Sequence, residues 1–117
     1  MKNYRELEIW QRSHTLTVSL YRATKTFPRD ELFAMTNQMR RACVSIPANI
    51  AEGCGREGDA ELRRFLTISL GSACELDYYV LLAHELGYLE ESVRAPLAAE
   101  LLEIRSMIGT FIKKLRA

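Results

Sequence analysis

Four stretches of this 117-residue chain carry apolar residues at helical spacing, short breaks marked by Gly and Pro separate them, and no stretch alternates as a half-buried strand would. The predicted fold is therefore all-α, an antiparallel up-down-up-down four-helix bundle, with residues 1–117 as a single domain. Connections of only a few residues make successive helices antiparallel neighbours.

In the first stretch Ile9, Ser13, Leu16, Leu20, Ala23 and Phe27 share one stripe, and Pro28 stops it. Asp30 is expected to cap the second. There Leu32, Met35, Met39, Ala42, Ile46 and Asn49 keep the same rhythm until Gly53 and Gly55 end it. Gly58 or Asp59 opens the third, where Leu62, Leu66, Ser69, Ala73, Leu76, Val80 and Ala83 form the stripe and Gly87 closes it. The fourth holds Leu97, Leu101, Ile104, Ile108, Phe111 and Leu115 at heptad spacing, which implies helix crossings of about +20°. Pro96 falls early in that helix, where a missing N–H costs little. Pro47 falls inside the second helix and is expected to bend it near Ser45 and Ile46, at about 3 kcal/mol for an ordinary helix interior.

A hydrophobic fraction of 48% and a charged fraction of 26%, with 6 Gly and 3 Pro, exclude a disordered tail and a collagenous chain. A net charge of +1, from 16 basic and 15 acidic residues, provides no global field for a polyanion, so any such binding must come from local clusters. Cys43, Cys54 and Cys74 form no CxxC pair and are odd in number, which suits reduced thiols. The opening MKNYRELEIW has no apolar signal core, and uninterrupted apolar runs are only a few residues long; a cytoplasmic protein without membrane contact is expected.

Two helices carry more apolar surface than one bundle face uses. The third adds Phe65, Ile68, Ser72, Glu75, Tyr79 and Leu82 beside its core stripe, and the first adds Leu7, Trp10, His14, Thr17 and Tyr21. Such wide coverage implies burial on a second side, hence homo-oligomerisation, unless the monomer hides these rings at its own seams.

Catalytic and metal patterns are missing from the sequence. His14 and His84 have Gln11 and Leu81 three residues before them, so no Glu-x-x-His pair exists, and His84-Glu85 lacks a second His at Tyr88. There is no GxSxG elbow around Ser45 or Ser72, and Gly53-Cys54-Gly55 lacks the lysine of a phosphate loop. No enzyme, metal or cofactor is expected.

A polar stripe of Gln38, Arg41, Ser45, Asn49 and Glu52 descends the second helix at 3,4,4,3 spacing. Ser72 and Glu75 occupy an equally apolar neighbourhood on the third. A carboxylate there needs a partner, so Glu52 and Glu75 are expected to accept hydrogen bonds from Arg41, Asn49, serines or backbone N–H groups. The stripe is either a satisfied network that fixes packing and register, or a ligand site. Basic residues cluster at Arg40 and Arg41, at Arg56, at Arg63 and Arg64, and at Arg105, Lys113, Lys114 and Arg116. The last group either complements the helix dipole in solvent or forms a phosphate-binding surface repeated by symmetry.

Five runs also carry a family likeness. Tyr4-Arg5-Glu6-Leu7-Glu8-Ile9-Trp10-Gln11, Gln38-Met39-Arg40-Arg41-Ala42, Ser45-Ile46-Pro47-Ala48-Asn49-Ile50-Ala51-Glu52-Gly53, Gly71-Ser72-Ala73-Cys74-Glu75-Leu76 and Leu86-Gly87-Tyr88-Leu89 resemble the four helix bundle protein family. That family includes proteins encoded in intervening sequences of bacterial large-subunit ribosomal RNA genes and resembles the accessory variability determinants of diversity-generating retroelements. The resemblance implies a homopentameric ring of four-helix protomers and, for the retroelement relatives, binding to nucleic acid and a reverse transcriptase. On this reading Gly53 permits the helix exit and Gly71 a close backbone approach. The expected function is a non-enzymatic oligomeric scaffold or adaptor that binds structured RNA or DNA through its Arg clusters. The near-neutral charge keeps open a protein-interaction module without nucleic acid, and the polar stripe a small-molecule-binding bundle.

Overall fold

The computed structural model describes residues 3–116, among which there are four long helices and no strand. Asn3 caps a single 3-10 turn at Tyr4–Glu6 by accepting the Arg5 amide. α1 (Glu8–Ala23) follows and ends in a 3-10 turn, Thr24–Thr26. α2 spans Asn37–Cys54, α3 Asp59–Glu85 and α4 Glu91–Arg116. α2 packs against α1 and α3, and α4 against α3 and α1, which closes the four into a bundle 43 × 24 × 20 Å in extent.

The core follows the apolar stripes closely. Ile9, Ser13, Leu16 and Leu20 of α1 are buried, as are all seven stripe residues of α3 and Leu97, Leu101, Ile104 and Ile108 of α4. The two buried serines are satisfied: Ser13 donates to the Trp10 carbonyl, and Ser69 donates across to the Ile46 carbonyl of α2 at 2.9 Å. At the far ends of the stripes the burial shifts by one residue. Ile50 is buried while Asn49 is half-buried, and Ile112 is buried while Phe111 and Leu115 are half-buried. A 3.6-residue helix drifts from a 3.5-residue repeat, so the buried line rotates along its length. The Arg12 guanidinium bridges α1 to α4 by pairing with Glu100, with Nε 3.0 Å from a carboxylate oxygen.

The start of the second helix departs from expectation. Asp30 does not cap it; Pro28 precedes a 3-10 turn, Arg29–Glu31, with no side-chain cap bond. A π-helical turn, Leu32–Thr36, follows, with Ala34 outside helical geometry at φ −121° and ψ −105°. The wide turn shifts the helical register. Leu32 leaves the core stripe and is 45% exposed, Phe33 is 91% exposed, and the stripe resumes at the fully buried Met39.

Both interior prolines sit within continuous helices. α2 continues unbroken through Pro47. Pro47 has no N–H for the Cys43 carbonyl, and the Thr17 hydroxyl of α1 lies 3.5 Å from that oxygen while donating its main bond to Ser13 at 2.8 Å. Pro96 lies inside α4, past its first turn, with its ring exposed to water.

At the end of α3, Gly87 adopts φ +80°. The Tyr88 amide then donates to the Ala83 carbonyl and the Gly87 amide to His84, a paired closure that a left-handed residue permits. α3 is by length and composition alone long and apolar enough to cross a membrane, with 33% of its most apolar window buried in the bundle. Of that window, Ile68, Tyr78 and Leu81 are exposed on the outside of the protomer.

Candidate functional site

The signature residues line the outer edge of the α2–α3 seam. Ser45 and Asn49 are one turn apart on α2, and Ser72 faces them from α3. The Ser45 and Ser72 hydroxyls lie 2.7 Å apart, and the Asn49 amide donates to the Ser45 carbonyl at 2.7 Å and to its hydroxyl at 2.8 Å. All three side chains are half-buried. One cross-helix hydroxyl pair, held by an asparagine, ties the two helices together along this edge.

The expected buried carboxylates are not part of this network. Glu52 is exposed and pairs with Arg56, at 3.5 Å, one turn further on. Glu75 is exposed beside Tyr79, whose hydroxyl is held above its ordinary pKa by burial first and then by the Glu75 charge and hydrogen bond. Arg41 is exposed and bonds to none of these groups among the described residues. The polar stripe winds around α2, so its ends turn into solvent while its middle reaches α3.

The two glycines also change roles. Gly53 sits where a Cβ would come within 2.9 Å of the Phe65 Cβ and 3.0 Å of a Leu62 methyl, so it is needed for close approach of α2 to α3 rather than for the chain's exit. A Cβ at Gly71 would meet no atom of another element within 4 Å among the described residues.

The basic residues fall into two places. The end of α2, the start of α3 and the end of α4 share one end of the bundle, joined where Arg63 donates to the Leu115 carbonyl at 3.3 Å. Arg56, Arg63, Arg64, Lys113, Lys114 and Arg116 therefore gather there. Arg40 and Arg41 lie on the other half of α2, roughly 22 Å away at about 1.5 Å per residue. Arg105 leaves the cluster to pair with Asp77 at 3.5 Å. Arg64 is paired with Glu61, which holds that carboxyl below its usual range, and its guanidinium covers the Phe65 ring at 4.4 Å. Arg63, Lys113, Lys114 and Arg116 have no carboxylate partner among the described residues.

Among the described residues, no three His, Cys, Asp or Glu side chains come together as a metal site would require. His84 belongs to the end of α3, with Nδ1 2.9 Å from the Leu89 carbonyl and Nε2 3.5 Å from Glu91. His14 stacks on Trp10 at 4.9 Å between ring centres, with planes 4° apart. That stack borders a groove of about 290 Å³ between α1 and α2, which also includes Pro47 and Ala48. A second groove, of about 410 Å³, runs between the start of α1 and the end of α4, from Leu7 to Phe111. Trp10, His14 and Thr17 of the second apolar stripe of α1 line the first groove and Leu7 the second, although that stripe by itself predicts a surface for a second copy and not grooves.

Residues 5–110 match the sequence model of the 23S rRNA-intervening sequence protein family. The chain belongs to that family. No curated protein matches it. A solved structure of a protein with unknown function from the S23 ribosomal protein family, from Bacteroides thetaiotaomicron VPI-5482, superposes with a TM-score of 0.83. That match covers 90% of this chain and 95% of the other at 24% identity, and it establishes likeness of fold. The Ser45–Asn49 network, Gly53 and the exposed Gly71 thus all lie within the family-matched segment.

Proposed function

We propose that this intervening-sequence protein is a non-enzymatic cytoplasmic adaptor. Copies join through the outer face of α2 and α3 into a ring, pentameric as the family resemblance implies, and each offers its basic end to the phosphate backbone of structured RNA or DNA. The observation that carries this reading is the outer strip of α3. Ile68 is 42% exposed, Tyr78 57% and Leu81 49%, and Gly71 and Cys74 lie between them at helical spacing. A strip that is apolar, continuous and open at a glycine suits a second helix laid against it. The basic end adds Arg63, Lys113, Lys114 and Arg116, whose charge symmetry would multiply.

Sedimentation equilibrium at micromolar concentration tests the assembly. The expected result is a mass several times the 13.4 kDa of one chain. Ile68→Asp should return the mass to one chain while the helical circular dichroism persists. A wild-type protein that stays at one chain's mass overturns the reading.

A second reading, a ring that docks a protein and no nucleic acid, is favoured by the net charge of +1 and by the pairing of Arg56 and Arg64 with Glu52 and Glu61. Fluorescence anisotropy with a structured RNA separates the two. RNA binding should weaken steeply with salt, with a log–log slope of about −0.9 per phosphate contacted, and lose slope in Lys113→Gln, Lys114→Gln. An intact assembly that binds no RNA at low salt leaves the second reading.

A further inference from the structure

At the end of the bundle opposite Arg63 and Lys113, one place combines charge, space and an unsatisfied group. Where α1 gives way to α2, a cavity of about 120 Å³ is lined in part by Thr24, Lys25, Arg29, Thr36 and Arg40. Lys25, Arg29 and Arg40 have no carboxylate partner among the described residues. Arg40 is held in place by donating Nε to the Thr24 hydroxyl at 2.9 Å and one Nη to the Tyr21 carbonyl at 3.4 Å, with its guanidinium over the Tyr21 ring. An arginine has five N–H groups, so three remain for another acceptor. The adjacent acids Asp30 and Glu31 do not line the cavity, and Glu31 accepts the Tyr88 hydroxyl at 3.0 Å.

The unsatisfied group is Thr36. It is 2% exposed, and its hydroxyl has no hydrogen-bond partner. Three other helical threonines, Thr17, Thr24 and Thr67, return their hydroxyl proton to the carbonyl four residues back, at 2.8 to 2.9 Å. Thr36 lies in the π-helical turn, where the backbone is displaced from that geometry. A buried hydroxyl without an acceptor is unfavourable unless something else accepts its proton.

We propose that this pocket binds a phosphate group, with Lys25, Arg29 and the free N–H groups of Arg40 neutralising it and the Thr36 hydroxyl, closed off from solvent, turning to donate to one of its oxygens. Cations lining one small space beside a hydroxyl without an acceptor suit a tetrahedral oxyanion, because its oxygens accept charge-assisted hydrogen bonds. The phosphate is either the free ion or the terminal phosphate of an RNA. The site is built within one protomer and does not rest on the ring or on the basic end.

The test follows backbone amide and methyl NMR shifts of the full chain as inorganic phosphate is added at constant ionic strength, with sodium chloride as the balancing salt. Saturable shifts confined to residues 24–40, in the millimolar range, are expected. Thr36→Val keeps the side-chain shape and removes the orphaned hydroxyl. It should raise the melting temperature yet weaken phosphate binding about tenfold, the equivalent of one hydrogen bond to a charged group. Lys25→Gln with Arg29→Gln, both at exposed positions, should abolish saturation with the fold intact. Shifts no different from those in sodium chloride alone overturn the proposal, as does Thr36→Val binding phosphate like the wild type. A 5′-phosphorylated oligoribonucleotide that shifts residues 24–40 more strongly than its unphosphorylated twin assigns the site to an RNA end. Equal shifts from the two, with inorganic phosphate still saturating, assign it to the free ion.

Discussion

The two edges of the α2–α3 seam are built differently. The inner edge is dry and tight: Leu62, Leu66, Ile46 and Ile50 are buried, Ser69 bonds to the Ile46 carbonyl, and Gly53 leaves no room for a Cβ against Phe65. The outer edge, a helix-width away, is half-wet. Ser45, Asn49 and Ser72 bond to one another there, and Glu52, Glu75, Gly71 and Arg41 stand in the open. Residues of one contiguous sequence signature thus divide between the two edges. Close packing decides the first, and hydrogen bonding at a surface decides the second.

The contrast can be broken by substitution. Leu66→Ala on the inner edge should lower unfolding free energy in urea by about 2–5 kcal/mol, since Leu66 is fully buried and its loss leaves a cavity. A loss under about 1 kcal/mol would mean the seam collapses freely around it.

Gly53→Ala should cost about 1–3 kcal/mol by overpacking against the Phe65 Cβ, more than the roughly 1 kcal/mol that alanine gains in helix propensity. Greater stability in this variant would show that α3 yields by a few tenths of an ångström.

Cys43, on the buried side of α2, sharpens the inner edge through pH. Burial pushes its thiol up from 9.0 to about 11, partly opposed by the Thr17 hydroxyl. The folded state therefore holds the proton more tightly than the unfolded chain. The resulting stability is fully present below pH 9 and is lost as pH rises through about 11. It amounts to at most about 2–3 kcal/mol, at about 1.4 kcal/mol per pKa unit. Chemical denaturation at pH 8 and pH 10 should show the decline in wild type and a smaller one in Cys43→Ala. In thiol labelling at neutral pH, the exposed Cys74 should react first and Cys43 only on unfolding.

The smallest effects lie on the outer edge. Asn49→Ala should cost about 1 kcal/mol, because it strips the Ser45 hydroxyl of a donor at a half-buried position. Glu52→Ala should stay within about 0.5 kcal/mol, because its carboxylate is exposed and its ion pair is long. If copies assemble and Glu52→Ala costs more in the wild type than in an Ile68→Asp background, the difference would place Glu52 in a contact between copies.

Much of this was legible in the sequence. The seven-residue stripe of α3 is buried at every position because no break interrupts its rhythm and neighbours press on it from two sides. The presence of a polar stripe on α2 and of Ser72 on α3 was legible too, but not that Ser45 and Ser72 would be the members to meet. The π-helical turn at Leu32–Thr36 was not legible, because Leu32, Met35 and Met39 fit an uninterrupted helix equally well. Nor was the exposure of Glu52 and Glu75, since a stripe three residues longer or shorter faces a different direction.

The order and kind of the four helices, their antiparallel course and most of the core were determined by the sequence alone, because hydrophobic periodicity and short breaks act locally. Which polar groups meet was decided only by the tertiary structure. Arg63 reaches Leu115, Arg40 reaches Thr24, and Thr36 is left without an acceptor where the helix widens. Those contacts depend on how far each helix is rotated and slid against its neighbours, and a rotation of a fraction of a turn changes them while leaving the apolar pattern intact.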